Sequence, residues 1–150
     1  MLESNIYFFL ISLQVLNRKV IFNAQITQGE NDIIGNLTFD HVSINIGGGF
    51  DGSIAGVFKV PVSGNYQMSF SGSSATNTEV LSQILIYNND SEILRICDSN
   101  ELHYYGNNLS YTWVMKLAKG DELRLSSENY LHATSTSPIT FTGELIYVEN

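Results

Sequence analysis

Residues 64–70 read GNYQMSF, with Tyr66, Met68 and Phe70 on one side and Asn65, Gln67 and Ser69 on the other. A period of two is that of a half-buried strand, apolar toward a core and polar toward water. The run closes an aromatic- and glycine-rich stretch, residues 39–70, in which Pro61 and Gly64 bracket a turn. The same alternation recurs along the chain. In 20–27, Phe22, Ala24 and Ile26 alternate with Ile21, Asn23, Gln25 and Thr27; in 111–117, Tyr111, Trp113, Met115 and Leu117 share a face. Ile139, Phe141, Gly143, Leu145 and Tyr147 alternate in 139–147. Further extended pieces are expected at 37–41, 43–46, 55–60, 80–87 and 92–97, with polar loops at 28–36, 71–79 and 98–108. Asn88-Asn89-Asp90 reads as a turn, and Lys119-Gly120-Asp121 predicts a hairpin joining 111–117 to a strand at 122–126. No sustained 3.6-residue period follows Val20. The pattern predicts an all-β antiparallel sandwich or jelly roll.

At 150 residues and 43% hydrophobic, the chain can bury one core, which argues for one domain. That domain is expected over 19–148, after a lead-in at 1–18. Residues 6–16, IYFFLISLQVL, fall short of the ~20 residues that a membrane span needs. Their length fits the apolar region of a secretory signal, but Glu3 precedes them without Lys or Arg and no small-x-small cleavage site follows. The other reading is an amphipathic lead-in that packs on the domain. Acidic residues outnumber Lys and Arg 15 to 7, giving a formal net charge of −8 without any basic stripe, which excludes a nucleic-acid partner.

Chemical motifs are weak. Gly47, Gly49 and Gly52 satisfy G-x-G-x-x-G, but β-like sequence and Pro61 follow where a dinucleotide site needs a helix, so the glycines read as turn positions with positive φ. His41, His103 and His132 lack metal-ligand spacing and read as surface or turn histidines. No G-x-S-x-G elbow occurs. Cys97 is the single cysteine, so no intrachain disulfide forms. In its apolar setting it reads as a buried small hydrophobe, with an intersubunit bridge as the alternative in an extracellular protein. Asn36, Asn89 and Asn108 head N-x-S/T sequons, acceptors for glycosylation if the chain is secreted.

With these strands placed, the chain resembles the globular head domain of complement component 1q, a jelly roll shared with tumour necrosis factor. Phe39, Asn45 and Phe50 match the family's opening aromatic-Asn-aromatic spacing, and Phe58, Gly64, Tyr66 and Phe70 match the pattern that follows. One extra residue lies between Phe50 and Phe58, and Met68 stands where the family usually has Phe. Leu117-Ala118-Lys119-Gly120-Asp121-Glu122-Leu123 resembles a turn between late strands, and Phe141-Thr142-Gly143-Glu144-Leu145 the closing segment, with Glu144 in place of an apolar residue.

The resemblance implies a secreted, non-enzymatic homotrimer or heterotrimer without cofactor, with aromatic strand faces packed around a three-fold axis. With no collagen repeat, it implies a head-only member. Its loops would bind a protein, carbohydrate or microbial surface, with avidity from three copies. The alternatives are a cytokine-like or synaptic-organiser-like signalling ligand for a receptor, and a structural trimerisation cap. The loop at 98–108, carrying Asp98, Glu101, His103, Tyr104 and Tyr105, is the expected contact surface. Some family members bind calcium, and Asp98 and Glu101 could contribute ligands, though a solvated loop is the plainer reading.

Overall fold

A computed structural model of the chain describes residues 2–16, 18–29, 32–51, 56–75, 82–97 and 108–149. One helix, α1 (Leu2–Leu16), precedes eleven strands: β1 (Ile21–Ile26), β2 (Ile33–Asn36), β3 (His41–Ile46), β4 (Phe50–Asp51), β5 (Val57–Lys59), β6 (Gly64–Ser74), β7 (Gln83–Asn88), β8 (Ser91–Cys97), β9 (Asn108–Leu117), β10 (Glu122–His132) and β11 (Ile139–Val148).

The strands form an antiparallel jelly-roll sandwich. One sheet runs β3-β1-β11-β6-β9, and the other β4-β5-β10-β7-β8, with β2 further along the β5 side of β10. Leu131 and His132 of β10 pair with Ser74 and Ser73 of β6, joining the two sheets into one hydrogen-bonded network.

The alternating runs bury the sides their period predicts. Phe22, Ala24 and Ile26 face inward from β1, and Tyr66, Met68 and Phe70 from β6 are fully buried. Aromatic rings fill one end of the core. Phe22 lies 4.8 Å from Phe50, 4.6 Å from Phe58 and 5.0 Å from Phe141, while Phe39 meets Phe50 at 5.6 Å. Offset and edge-on contacts at these distances stabilise beyond area burial. Phe39, Phe50, Phe58, Tyr66, Phe70 and Phe141 lie inside one protomer, so these rings pack its core. Met68 takes the usual aromatic position because Gly143 lies opposite it and the Phe22 ring fills the space above. A Cβ on Gly143 would overlap that ring and sit 2.9 Å from the Met68 sulfur.

Several local expectations are corrected. The expected hairpin across Lys119-Gly120-Asp121 does not form: β9 pairs with β6 along its whole length, whereas β10 pairs with β7, β5 and β2. The turn carries the chain from one sheet to the other. Residues 33–36, expected to be loop, form β2, while 37–40 are not a strand although Leu37 and Phe39 are buried. The β6 strand continues to Ser74 through part of the expected loop. Tyr147 is 60% exposed because a register shift after Leu145 turns it outward, and Tyr111 on β9, an outer strand among the described residues, is 45% exposed. Cys97 is exposed rather than buried. In α1 the side chains of residues 3–10 are exposed, Tyr7 by 72%.

Candidate functional site

The expected contact residues Asp98, Glu101, His103, Tyr104 and Tyr105 lie outside the described residues, as does Gly52. Several of the remaining singled-out positions bond within the scaffold. Asn45 clamps the Gly47-Gly48-Gly49 turn: its Nδ2 donates to the Phe50 carbonyl at 3.1 Å and its Oδ1 accepts from the Phe50 N–H at 3.4 Å. The three glycines have φ of 81°, 71° and 106°, the left-handed region that glycine enters without penalty. They are turn residues, as expected.

Asp121 holds two turns together. Its carboxylate accepts from the Ala118 N–H at 3.0 Å, from Asn89 Nδ2 at 2.9 Å and from Asn88 Nδ2 at 3.3 Å, while Gly120 N–H donates to the Val60 carbonyl at 2.8 Å. The Ala118 N–H, helped by the two amides against partial burial, holds this carboxyl below its usual range. Asn89 also accepts from the Glu122 N–H at 2.9 Å, so both ends of its amide are engaged; with Asp90 it forms a turn with two positive φ angles. Asn108 opens β9 rather than lying in a loop, and its Oδ1 accepts from Ser73 at 2.8 Å. Asn36 is exposed at the end of β2. Burial pushes the Tyr66 phenol up to about 12, although its hydroxyl donates to the Val62 carbonyl at 2.6 Å.

His41 is exposed at the start of β3 and His132 is partly buried at the end of β10. Among the described residues no group of three His, Cys, Asp or Glu side chains could hold a metal ion. No described helix is long and apolar enough to cross a membrane.

Two surfaces stand out. On the outward face of the first sheet, Ile46, Ile21, Glu144, Gln67 and Val114 form one row across five strands, and Ile44, Asn23, Thr142, Ser69 and Thr112 form the next. Glu144 is the one charged residue of these ten, so the departure in the closing segment falls outside the protomer core. Ile44, Ile46 and Val114 are 43%, 50% and 61% exposed. The second surface is an open cleft of about 560 Å³, lined by residues that include Ile26, Asp32, Ile33, Ile34, Asn36 and Asp40. No periodicity pointed to it, because its walls come from β1, β2 and the segment between β2 and β3.

Two antiparallel sheets with these connections define a jelly roll of the tumour necrosis factor type. The sequence model of the C1q domain family matches residues 17–146, and the chain belongs to that family. Its fold is similar to the globular domain of zebrafish complement 1qA protein (TM-score 0.68, 21% identity, 87% of this chain and 99% of that one). It is also similar to murine APRIL at pH 5.0 (TM-score 0.67, 9% identity, 85% of this chain and 99% of that one). No curated protein sequence matches. Members of the C1q family are generally non-enzymatic recognition modules, typically trimeric and secreted.

Proposed function

We propose that this chain is a secreted, homotrimeric recognition module that binds protein, carbohydrate or microbial-surface ligands through its loops, and that the outward face of β3-β1-β11-β6-β9 is its subunit interface. The observation that carries this reading is the charge-poor pair of rows on that face, with Ile44, Ile46 and Val114 exposed. Interface cores are depleted in charge, whereas an exposed sheet face of a monomer ordinarily is not. Three copies raise the avidity of weak loop contacts without any new contact. The domain is taken as residues 19–148, with 1–18 as a removable targeting segment in which Ile6, Tyr7, Phe9 and Leu10 are each more than half exposed.

Sedimentation equilibrium tests the assembly: the expected species has three times the mass of the polypeptide used, 16.7 kDa for the full 150 residues, and a monomer at micromolar concentration refutes the trimer. Amino-terminal sequencing of the secreted protein reads the fate of 1–18. Binding to sugar arrays or bacterial cells supports recognition. Saturable nanomolar binding to a cell-surface receptor would move the function to signalling, and failure of both would leave a structural cap.

A further inference from the structure

The two strands that line the cleft differ in pairing: β1 is paired on both flanks, with β3 and β11. Among the described residues, β2 hydrogen-bonds to β10 on one flank and to no strand on the other. Backbone N–H and C=O groups of an edge strand are obligatory hydrogen-bonding groups, and an extended chain is the partner they fit best. The cleft lies beside β2, for Ile33, Ile34 and Asn36 line it from this strand and Ile26 from the end of β1.

Its side chains select the partner's chemistry. Asp40 Oδ1 accepts from the Thr27 N–H and Oδ2 from the Thr27 hydroxyl, both at 2.8 Å, which fixes one carboxylate in the wall. Asp32 is exposed and makes no hydrogen bond or ion pair to another described residue. The described lining holds no Lys, Arg, His or aromatic ring. An anion would find no counter-charge there, and a sugar ring would find no aromatic face to stack on. A divalent cation would need several converging oxygens, and the Asp40 oxygens are already engaged. What remains complementary is a cation on an aliphatic stem, its stem against the 46%-exposed Ile34 side chain and its head at Asp32. The net charge of −8 draws such a partner from a distance.

We propose that the cleft between β2 and the end of β1 is a docking site for an extended polypeptide segment of a partner protein, which adds to the free edge of β2 and places a Lys or Arg side chain against Asp32. Strand addition supplies affinity through main-chain hydrogen bonds, and the acidic, aliphatic cleft supplies selectivity.

The test uses the full chain, ¹⁵N-labelled, titrated with a blocked five-residue peptide of alternating threonine and valine with one central lysine. A second peptide carries glutamine in place of the lysine, and chitotriose serves as a neutral sugar probe. The lysine peptide is expected to shift the amide signals of Ile33 to Asn36 saturably. The glutamine peptide, and the lysine peptide on Asp32→Asn, are each expected to bind about fivefold more weakly, the effect of one solvent-screened ion pair. Equal binding of the two peptides overturns the charge assignment. Shifts confined to other strands, or none up to millimolar peptide, overturn the site. A response of these amides to chitotriose without one to either peptide overturns the ligand class.

Discussion

The outward faces of the two sheets differ in what becomes of their charge. On β10-β7-β8 the charged groups satisfy one another. Arg95 donates to Glu92 at 2.8 and 2.9 Å, to Gln83 at 2.6 Å and to Glu128 at 3.3 Å; Arg124 pairs with Asp90 at 2.8 Å and lies 5.0 Å from the Tyr87 ring centroid. On the first sheet the two central rows hold Glu144 alone among polar and aliphatic residues. Both sheets cover one core, so the contrast does not come from folding requirements. A self-neutralised face has little to gain from a partner, whereas exposed isoleucines gain by being covered and the uncharged amides and hydroxyls beside them cost less to desolvate than charges do.

The largest expected effect breaks this contrast at its apolar end. Val114→Arg places an unpaired cation on the outward face of β9, and burying it in a subunit interface costs about 3 kcal/mol. The concentration needed for assembly should then rise more than about a hundredfold by analytical ultracentrifugation. Ser91→Arg, on the hairpin edge of the other sheet, should leave assembly unchanged. Equal behaviour of the two variants would remove the distinction between the faces.

Glu144→Leu sharpens the contrast instead. The carboxylate has Ile21 and Gln67 as its register partners and no cation in its row. Replacing it by leucine should tighten assembly about tenfold, because an unpaired charge no longer has to leave water. Unchanged assembly would place Glu144 outside the interface.

The sheets were legible in the sequence because their signal is local. Alternation in 20–27 and 64–70 reports which side of a strand is buried, and Phe22, Tyr66, Met68 and Phe70 are buried accordingly. Partner choice is not local. Lys119-Gly120-Asp121 has the chemistry of a hairpin turn, but β9 and β10 each find better apolar complements elsewhere, Trp113 opposite Met68 and Leu125 opposite Ile86. Short β2 has too few residues for a period, and the bulge that turns Tyr147 outward leaves no mark in composition. The cleft was hidden for the same reason: Ile26 and Asp40 meet Ile33 only once three segments have folded together.

Asp121 sits where the two sheets exchange the chain, and it tests whether the connection is as rigid as the faces it joins. The folded state holds its carboxyl below the ordinary range through the Ala118 N–H and the Asn89 and Asn88 amides. A depressed carboxyl contributes stability fully above its unfolded value of about 3.9. That contribution is lost as pH falls through the folded value. Asp121→Asn should therefore lower stability by about 1 kcal/mol at neutral pH, a figure limited by solvent screening, and should flatten the acid limb of the denaturation curve. Equal acid limbs for the two proteins would contradict the assignment.

The smallest effect is expected at the charged end of the contrast. Leu85 points outward with Arg95 and Ser126 as its register partners, yet is 3% exposed, so neighbouring side chains cover it. Arg95→Met keeps an unbranched stem for this cover and removes the guanidinium. The ion pairs are solvent-exposed, so the melting temperature should fall slightly in low salt and match the parent in 1 M salt. Arg95 holds the Glu92 carboxyl below its usual value, so the difference should fade as acid protonates Glu92. Assembly should not change. A loss of assembly in Arg95→Met would mean that the self-neutralised face also meets a partner subunit, and the two faces would then share the interface rather than divide surface and contact between them.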